Sequence, residues 1–576
     1  ECYSTDVHDI YREVPAEHVM SESFTEKYIA ECELPAVSGE KIQTYRDCQI
    51  GKIPSYARRK LLSYLKEFEG SFAKDDFDVG ESKLALINFD VDESNIRVQP
   101  RRNMSRNKME HLVEAIEKLE RAGVVSEYNN ATPKMIQNVV LVEKMSDNTQ
   151  AGKILHKEMM RRDKNKKASY RITIDMRDIN KCIRNCSKVQ MSTSDEIISE
   201  CSGKITSSLD LRQGFYHLRI TEESRQYFAF YVGDQIYTLN RLPMGVNSAP
   251  QNFSLVMSKV FSEETMDLIK SQTSRDRAQQ LPKNFEKFLR FYIDDIFIYS
   301  STVDEHLTHI WCALKALQIG GFKIAAAKSQ FFADKIKILG YEVCPARSEQ
   351  GMDKVKSAAI LSWPTPSSLN ELHSRISGLR YFQRFLPHLN EVAYPLLHIM
   401  RINTWIWGEK QHEAWEAIRS IILADLRLQI PRPQDKLVLF VDASKICLSS
   451  VLFKETEQGL RVVGCFSKMI ALADVSRSIY LKEMASLVES LKYFQHYLIN
   501  SDYKCTVFTD SKALMYVGRN RHLQTSCKSL VDEFLRILQE VDIILYSVPG
   551  SVNYLADLFS RSILNSRYVK GEFSLS

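Results

Sequence analysis

The chain has 576 residues, 44% hydrophobic and 26% charged, which is the balance of globular protein and excludes disorder, collagen or coiled coil for the whole. At ~100–200 residues per domain, the length suggests about three to five domains. No run of ~18 apolar residues marks a membrane span, and the net charge of +5, from 77 basic and 72 acidic residues, is too small to indicate a partner by itself.

Residues 1–44 are polar, broken by Pro15, Pro35 and Gly39, and read as a leader. The start ECYSTDVHDI has no signal pattern and no initiator Met, which suggests a product cut from a longer precursor. From Ala57 the stretch RRKLLSYLKEFEG reads as a helix stopping at Gly70. A second helix starts after Ser105, puts Met109, Leu112, Val113, Ile116 and Leu119 on one face, and stops at Gly123. NVVLVEK (138–144) and YRITID (170–175) read as strands. Between them, 151–167 carries seven Lys/Arg against two acids. It is either a solvated loop or a contact to a phosphate backbone.

ITSSLD (205–210), FAFYV (228–232) and FLRFYIDDIFIYS (288–300) read as strands, and 270–284 as a polar insert. Helical patterns broken by WPTP (363–366) and FLPHL (385–389) fill 346–435. After Pro433 the texture changes. LVLFVD (437–442) and LSSVLF (448–453) predict a hairpin, followed by helix 480–498, strand CTVFTD (505–510), helix 525–540 and strand DIILYSV (542–548). This order suggests a second, mixed α/β domain. The twelve cysteines form no CxxC pair, and Cys182 and Cys186 have no matching His pair, so zinc is not expected. Reduced thiols, mostly in the core, are expected instead.

The most informative segment is FYIDDIFIYS. A hairpin there sets Asp294 and Asp295 at its turn, where they are either ordinary turn residues or repelling carboxylates that call for a cation. Asp210 ends an apolar strand and is followed by Gly214, Phe215 and Tyr216, and NRLPMGVNSAPQNF (240–253) is a small-residue loop leading into a helix. An Asp, an Asp pair and such a loop are what two-metal phosphoryl transfer needs, with hard carboxylate oxygens for magnesium. Arg171, before Asp175, could hold a triphosphate or make a surface salt bridge.

The set YRITIDMRDIN, SLDLRQGFYHL, LPMGVNSAP, FYIDDIFIYS, GFKI…K and LGYEV, in that order, resembles a reverse transcriptase. WPTPSSLNELHSRISGLRYFQRFLPHL and YPLL are similar to the thumb region of gypsy-type LTR retrotransposons, and the resemblance runs over roughly 60–565. It implies an α/β (α+β) right-hand polymerase fold of fingers, palm and thumb, followed by a ribonuclease H-like mixed α/β domain. The divisions would be a 1–44 leader, 45–345 fingers and palm, 346–432 thumb and connection, and 433–576 ribonuclease H-like domain. Asp210, Asp294 and Asp295 would serve the metals, with the Leu211 backbone also facing one. Phe215 takes the family's steric-gate position, Arg171 would contact the triphosphate, and the loop with Met244 and Gly245 would touch nucleotide and template. Met244 stands where retroviruses carry Gln, as in gypsy-type elements, which leaves the sugar contact in doubt.

A second set of acids follows. Asp442 ends an apolar strand, Glu483 lies in a helix, Asp510 ends CTVFTD, and Asp557 lies in VNYLADLFSR. Each alone reads as a solvated or capping residue. Together they resemble ribonuclease H, where four acids bind two Mg2+ ions (Mn2+ as a substitute) and activate water against RNA. Asn553 matches as well. The retroviral loop His is missing, and Tyr546 sits near its place. A hybrid is recognised by shape, backbone and 2′-hydroxyls, with Arg375, Arg380, Arg384 and Lys512 as candidate contacts or, alternatively, a helix core and its solvated face.

The resemblance thus implies an RNA- and DNA-dependent DNA polymerase with ribonuclease H. Its partners would be RNA template, DNA or RNA primer, RNA/DNA hybrid and dNTPs, and a homodimer is left open. It would work in the cytoplasm within virus-like particles, with nuclear passage open and no membrane. The other readings are a catalytically silent nucleic-acid-binding or structural subunit, against which the presence of all seven carboxylates argues, and an RNA-dependent RNA polymerase, against which Phe215 and the second domain argue. No Asp-Thr/Ser-Gly motif marks an aspartic protease.

Overall fold

The structure is a computed structural model. It describes residues 31–34, 43–75, 77–96, 104–129, 132–143, 170–184, 192–471, 474–512, 514 and 528–548. These fall into two compact units, one formed by Ser21–Thr193 with Lys204–Asp334, the other by Ser194–Gly203 with the chain from Lys335 on.

The first unit is built around a five-stranded sheet. Strand Ile205–Asp210 lies at its centre, with Asp295–Ser300 on one side and Gln330–Phe331 on the other. Leu289–Tyr292 and Gln49–Ile50 are the edges. Ile296 to Ser300 are all buried, as an apolar run covered on both faces should be. Helix Val303–Gly320 packs on that strand. It opens with a Thr302/Glu305 capping box, ends at Gly321 (φ +76°), and buries Leu307, Ile310, Leu314 and Leu317 at helical spacing. From this helix, fully buried His306 lies 2.7 Å from the Ser207 hydroxyl and 2.8 Å from that of Ser300. Burial pushes its pKa down to about 3, so the neutral ring ties together the two strands that carry the acids.

The expected helices are present as Ser55–Glu67 and Arg106–Arg121, the second stopping before Gly123 at φ +66°. Val139–Glu143 pairs antiparallel with Tyr170–Asp175. The other side of Tyr170–Asp175 is taken by Glu31–Leu34, so part of the expected leader is a sheet strand. The polar insert at 270–284 also packs. The Arg277 guanidinium sits 3.9 Å from the Trp311 ring centre and 5.4 Å from that of Tyr64, and the Trp311 indole N–H donates to Glu67. The basic insert at 151–167 lies outside the described residues.

The second unit contains an antiparallel four-stranded sheet of Ile336–Ile338, Tyr341–Cys344, Glu349–Met352 and Leu428–Gln429. It also contains the helices Lys354–Leu361, Leu369–Arg380, Tyr394–Arg401 and Glu409–Leu423. Its other sheet has the order Gly459–Met469, Cys447–Thr456, Leu437–Ala443, Cys505–Thr509, Ile543–Ser547. The first three strands are antiparallel, and the last two run parallel to Leu437–Ala443. Leu439, Val441 and Val507 join Met484, Leu487, Leu491 and Phe494 of helix Ile479–Leu498 in one core.

Two of the arginines read as candidate hybrid contacts are structural. Arg384, its side chain 13% exposed, makes a two-pronged ion pair with buried Asp195, the second prong at 2.8 Å. The Arg375 side chain, only 13% exposed, donates to the Pro364 carbonyl, pairs with Glu371 and lies over Trp415. Arg380 and Lys512 are exposed. Among the described residues eight cysteines are buried and unbridged, and no helix is long and apolar enough to cross a membrane.

Candidate active sites

The hairpin of Leu289–Tyr292 and Asp295–Ser300 pairs Tyr292 with Asp295, which leaves Ile293 (φ +52°) and Asp294 as its turn. Asp295 then lies directly opposite Asp210 on the central strand, so both side chains emerge on one face. The Leu211 N–H donates to the Asp294 carbonyl at 3.2 Å, which ties the turn to the end of that strand.

Three carboxylates are thereby gathered. Burial, then the charges of Asp210 and Asp295, push Asp294 up to about 8. Burial, then Asp210, push Asp295 up to about 6, and burial raises Asp210. Lys328, from the 3₁₀ turn Ala326–Lys328, pulls all three back. Its Nζ stands 3.3 Å from Asp210 Oδ1, an ion pair without hydrogen-bond alignment. Asp294 Oδ1 is enclosed and has no hydrogen-bond partner among the described residues.

Gly214 is what lets the turn come this close. A Cβ there would lie 2.1 Å from Asp294 Oδ1 and 3.1 Å from the Phe253 ring. Gly214→Ala is therefore expected to displace the carboxylate and cut single-turnover primer extension at least ~10²-fold, the scale of an ångström-sized misplacement. The far-UV circular dichroism spectrum should be unchanged, and extension at the wild-type rate would refute this coupling.

Phe215 follows, half-buried and tilted against Phe253 at 5.0 Å. Met244 and Gly245 lie in a loop held by Asn180, whose Nδ2 donates to the Gly245 carbonyl at 2.9 Å and whose Oδ1 accepts from the Asn247 N–H at 3.0 Å. Gly245 has φ +82°, which glycine alone adopts without strain. The backbone of Arg171 pairs with Val142, and its side chain lies outside the described residues.

In the second unit, Asp442 is near the end of strand Leu437–Ala443, and Asp510 is the exposed residue after Cys505–Thr509. Glu483 is on helix Ile479–Leu498. One turn on, the Ser486 hydroxyl donates to the Asp442 carbonyl at 2.7 Å. Burial, then Asp510 and Asp442, raise Glu483 against the Ser511 hydrogen bond, which lowers it. Three of the four expected acids therefore share one field. Asp557 and Asn553 lie outside the described residues. Tyr546 is inside strand Ile543–Ser547, as the strand expected at 542–548 requires, and is stacked on Phe508 at 5.7 Å. Glu483→Gln should relieve the repulsion and raise the metal-free melting temperature while removing hybrid cleavage. A melting temperature below wild type would contradict the crowding.

Among the described residues no group of three His, Cys, Asp or Glu side chains is arranged to hold a metal ion by itself. Magnesium seldom has an all-protein cage. It is held by one or two carboxylates together with substrate phosphates. The enclosed, unpaired Asp294 oxygen and its acidic neighbours fit a hard divalent cation on that basis.

Residues 162–343 match the family model described as reverse transcriptase (RNA-dependent DNA polymerase), and 407–507 match the RNase H-like domain found in reverse transcriptase. The Tf2-3 and Tf2-4 transposon polyproteins of Schizosaccharomyces pombe are each 24% identical over 403 residues, 69% of this chain. The chain carries a reverse transcriptase domain and an RNase H-like domain, and its relatives are gypsy-type transposon polyproteins. It spans 28% of the length of those relatives.

The fold is that of a polymerase followed by an RNase H-like domain. A foamy viral protease-reverse transcriptase in complex with double-stranded DNA matches at TM-score 0.68 and 17% identity, over 95% of this chain and 84% of that one. One in complex with an RNA/DNA hybrid matches at 0.65 and 16%, over 95% and 64%. Both domain families generally use divalent metals. The RNase H-like match ends before Asp510 and Asp557, so those two acids rest on local pattern and, for Asp510, on geometry.

Sequence reasoning gave no role to Lys328, Asn180 or His217, although each lies in a motif of the set. Lys328 closes the GFKI…K segment, and Asn180 closes the YRITIDMRDIN motif. Only their place in those motifs hinted at them.

Proposed function

We propose that this chain is an RNA- and DNA-dependent DNA polymerase with a ribonuclease H, copying retroelement RNA into DNA and degrading the RNA of the resulting hybrid. The observation that carries the reading is the meeting of Asp210, Asp294 and Asp295 at one sheet end, with an enclosed Asp294 oxygen and Lys328 in attendance.

Asp210 and Asp294 would hold two magnesium ions, Asp295 would support them, and the Leu211 backbone would face one. When bound, the ions supply charge stabilisation to the attacking and leaving oxygens of an in-line displacement. The chain's own part is positioning. Phe215 limits the sugar pocket, and the loop with Met244 and Gly245, braced by Asn180, shapes the nucleotide's seat. Arg171 would receive the triphosphate. The primer 3′-hydroxyl displaces pyrophosphate from the α-phosphate of a dNTP. In the second unit Asp442, Glu483, Asp510 and Asp557 would hold the metals that set water against an RNA phosphodiester. Residues 45–345 would be fingers and palm, 346–432 thumb and connection, and 433–576 the ribonuclease H domain. Virus-like particles would be the setting.

The test is dNTP incorporation on a primed RNA template with magnesium, with template cleavage followed in the same tube. Asp294→Asn should stop synthesis alone, and Asp442→Asn cleavage alone. Hybrid binding with neither activity would replace this reading with that of a binding subunit.

A further inference from the structure

His217 is the penultimate residue of the QGFYHL motif, and its ring is fully buried. It sits on the 3₁₀ turn Gly214–His217, which follows Gln213 in a left-handed conformation (φ +50°). The ring makes two backbone contacts. The Lys323 N–H donates to Nε2 at 2.9 Å, and Nδ1 lies 3.0 Å from the Gly214 carbonyl. An amide can only donate, so Nε2 accepts, the proton sits on Nδ1, and Nδ1–H donates to Gly214. The tautomer is therefore fixed by its neighbours.

The ring is wedged as well as bonded. It stacks on Phe322 at 5.1 Å, and a Cβ on Gly80 would lie 2.8 Å from its Cδ2. The segment it grips is tied to the central strand by two further bonds. Ala325 N–H donates to the Asp210 carbonyl at 2.8 Å, and Arg212 N–H donates to the Lys323 carbonyl at 2.9 Å. His217 thus links the segment behind Asp210 to the residue whose missing side chain makes room for Asp294.

We infer that His217 is a positioning residue of the polymerase site: its Nδ1–H holds the Gly214 carbonyl, and so sets both the approach of the turn to the Asp294 carboxylate and the stance of Phe215. This rests on the polymerase reading above and extends it to the choice of sugar. Phe215 leans on Phe253, the same ring that confines Gly214, so a shift of the turn moves the gate and the carboxylate together.

The test compares kcat/KM for a dNTP and the matching rNTP. His217→Phe keeps an aromatic ring and loses both bonds. His217→Asn keeps a donor at the Nδ1 position, and His217→Gln keeps an acceptor for Lys323 and loses the grip on Gly214. Phe285→Leu, in the same core but with its ring against Phe261 and Phe288, is a control for lost stability alone. His217→Phe and His217→Gln should lower the dNTP preference about 10-fold or more, the scale of a sub-ångström misplacement. His217→Asn should stay near wild type, and Phe285→Leu should lower the melting temperature without moving the preference. If His217→Phe does not fold, the Asn and Gln pair decides. Equal preference in those two, or a shift in Asn alone, overturns the inference. The polymerase reading fails separately, and takes this inference with it, if the wild type extends no primer; if Phe215→Ala leaves the preference unchanged, the gate role of Phe215 fails and this inference falls while the polymerase reading stands.

Discussion

Asp294→Asn should abolish primer extension and, in metal-free buffer at neutral pH, raise the melting temperature. The two effects have one origin. Asp294 sits in a turn with an enclosed Oδ1, and burial together with the charges of Asp210 and Asp295 disfavours its ionised form. Removing that charge relieves a cost on the order of a few kcal/mol. The same charge would hold a cation that supplies several kcal/mol of transition-state stabilisation, so synthesis should fall at least ~10³-fold. Magnesium separates the two. It should raise the wild-type melting temperature by mass action and the variant's much less, so that the order of stabilities narrows or inverts as magnesium is added. Scanning fluorimetry with and without EDTA reads this without any activity assay. An equal magnesium shift in both proteins would refute Asp294 as a ligand.

The acids were legible because each lies where a strand ends. ITSSLD and the IDDI step between two apolar runs carry a period and a break that only a strand and a tight turn satisfy, and the register then puts Asp295 opposite Asp210. Asp442 and Asp510 were legible in the same way, whereas Glu483 lies within a helix and stood out only beside them. The groups that serve the acids were not. Lys328 reaches Asp210 from a 3₁₀ turn that has no periodicity, and the grip of His217 on Lys323 spans 106 residues. The strand Gly459–Met469 also escapes the pattern, because Gly459, Gly464, Arg461 and Lys468 dilute its alternation.

Arg384 shows where the sequence left two readings open and the structure takes the packed one. RYFQRF interleaves bases and aromatics as a nucleic-acid surface does, yet the partner of Arg384 is 189 residues away on helix Ser194–Cys201. Local composition cannot distinguish a guanidinium facing phosphate from one buried on a carboxylate, since both are aromatic-flanked cations. Only the long-range packing decides, and it also explains why that short helix belongs to the second unit.

That pair supports the other large expected effect: Arg384→Met should destabilise the second unit by about 3–5 kcal/mol, because it strands a buried carboxylate. Burial alone would raise Asp195, but the charge and hydrogen bonds of Arg384 outweigh it and hold Asp195 down at about 2. A folded-state pKa below the unfolded value means that this stability is present above about pH 4 and is lost as pH falls toward 2. In the variant the remaining neighbours are the Tyr497 hydroxyl, which hydrogen-bonds Asp195, and His496, whose Nε2 lies 3.7 Å from Asp195 Oδ2. In the wild type burial lowers the His496 pKa, with Asp195 opposing and Arg384 assisting. Without Arg384, the stranded carboxylate should lift the His496 pKa above its unfolded value. Stability from a raised pKa is present below that value and fades as pH rises through it. Arg384→Met should therefore recover part of its loss at about pH 5.5 relative to about pH 7.5, and adding His496→Gln should cancel the recovery. The double substitution Asp195→Leu/Arg384→Met removes both charges and should regain most of the stability at either pH. Urea unfolding of the wild type and the three variants at the two pH values reads all of this. A loss below about 1 kcal/mol in Arg384→Met would mean that water reaches the pair and that the helix is held by its apolar face instead.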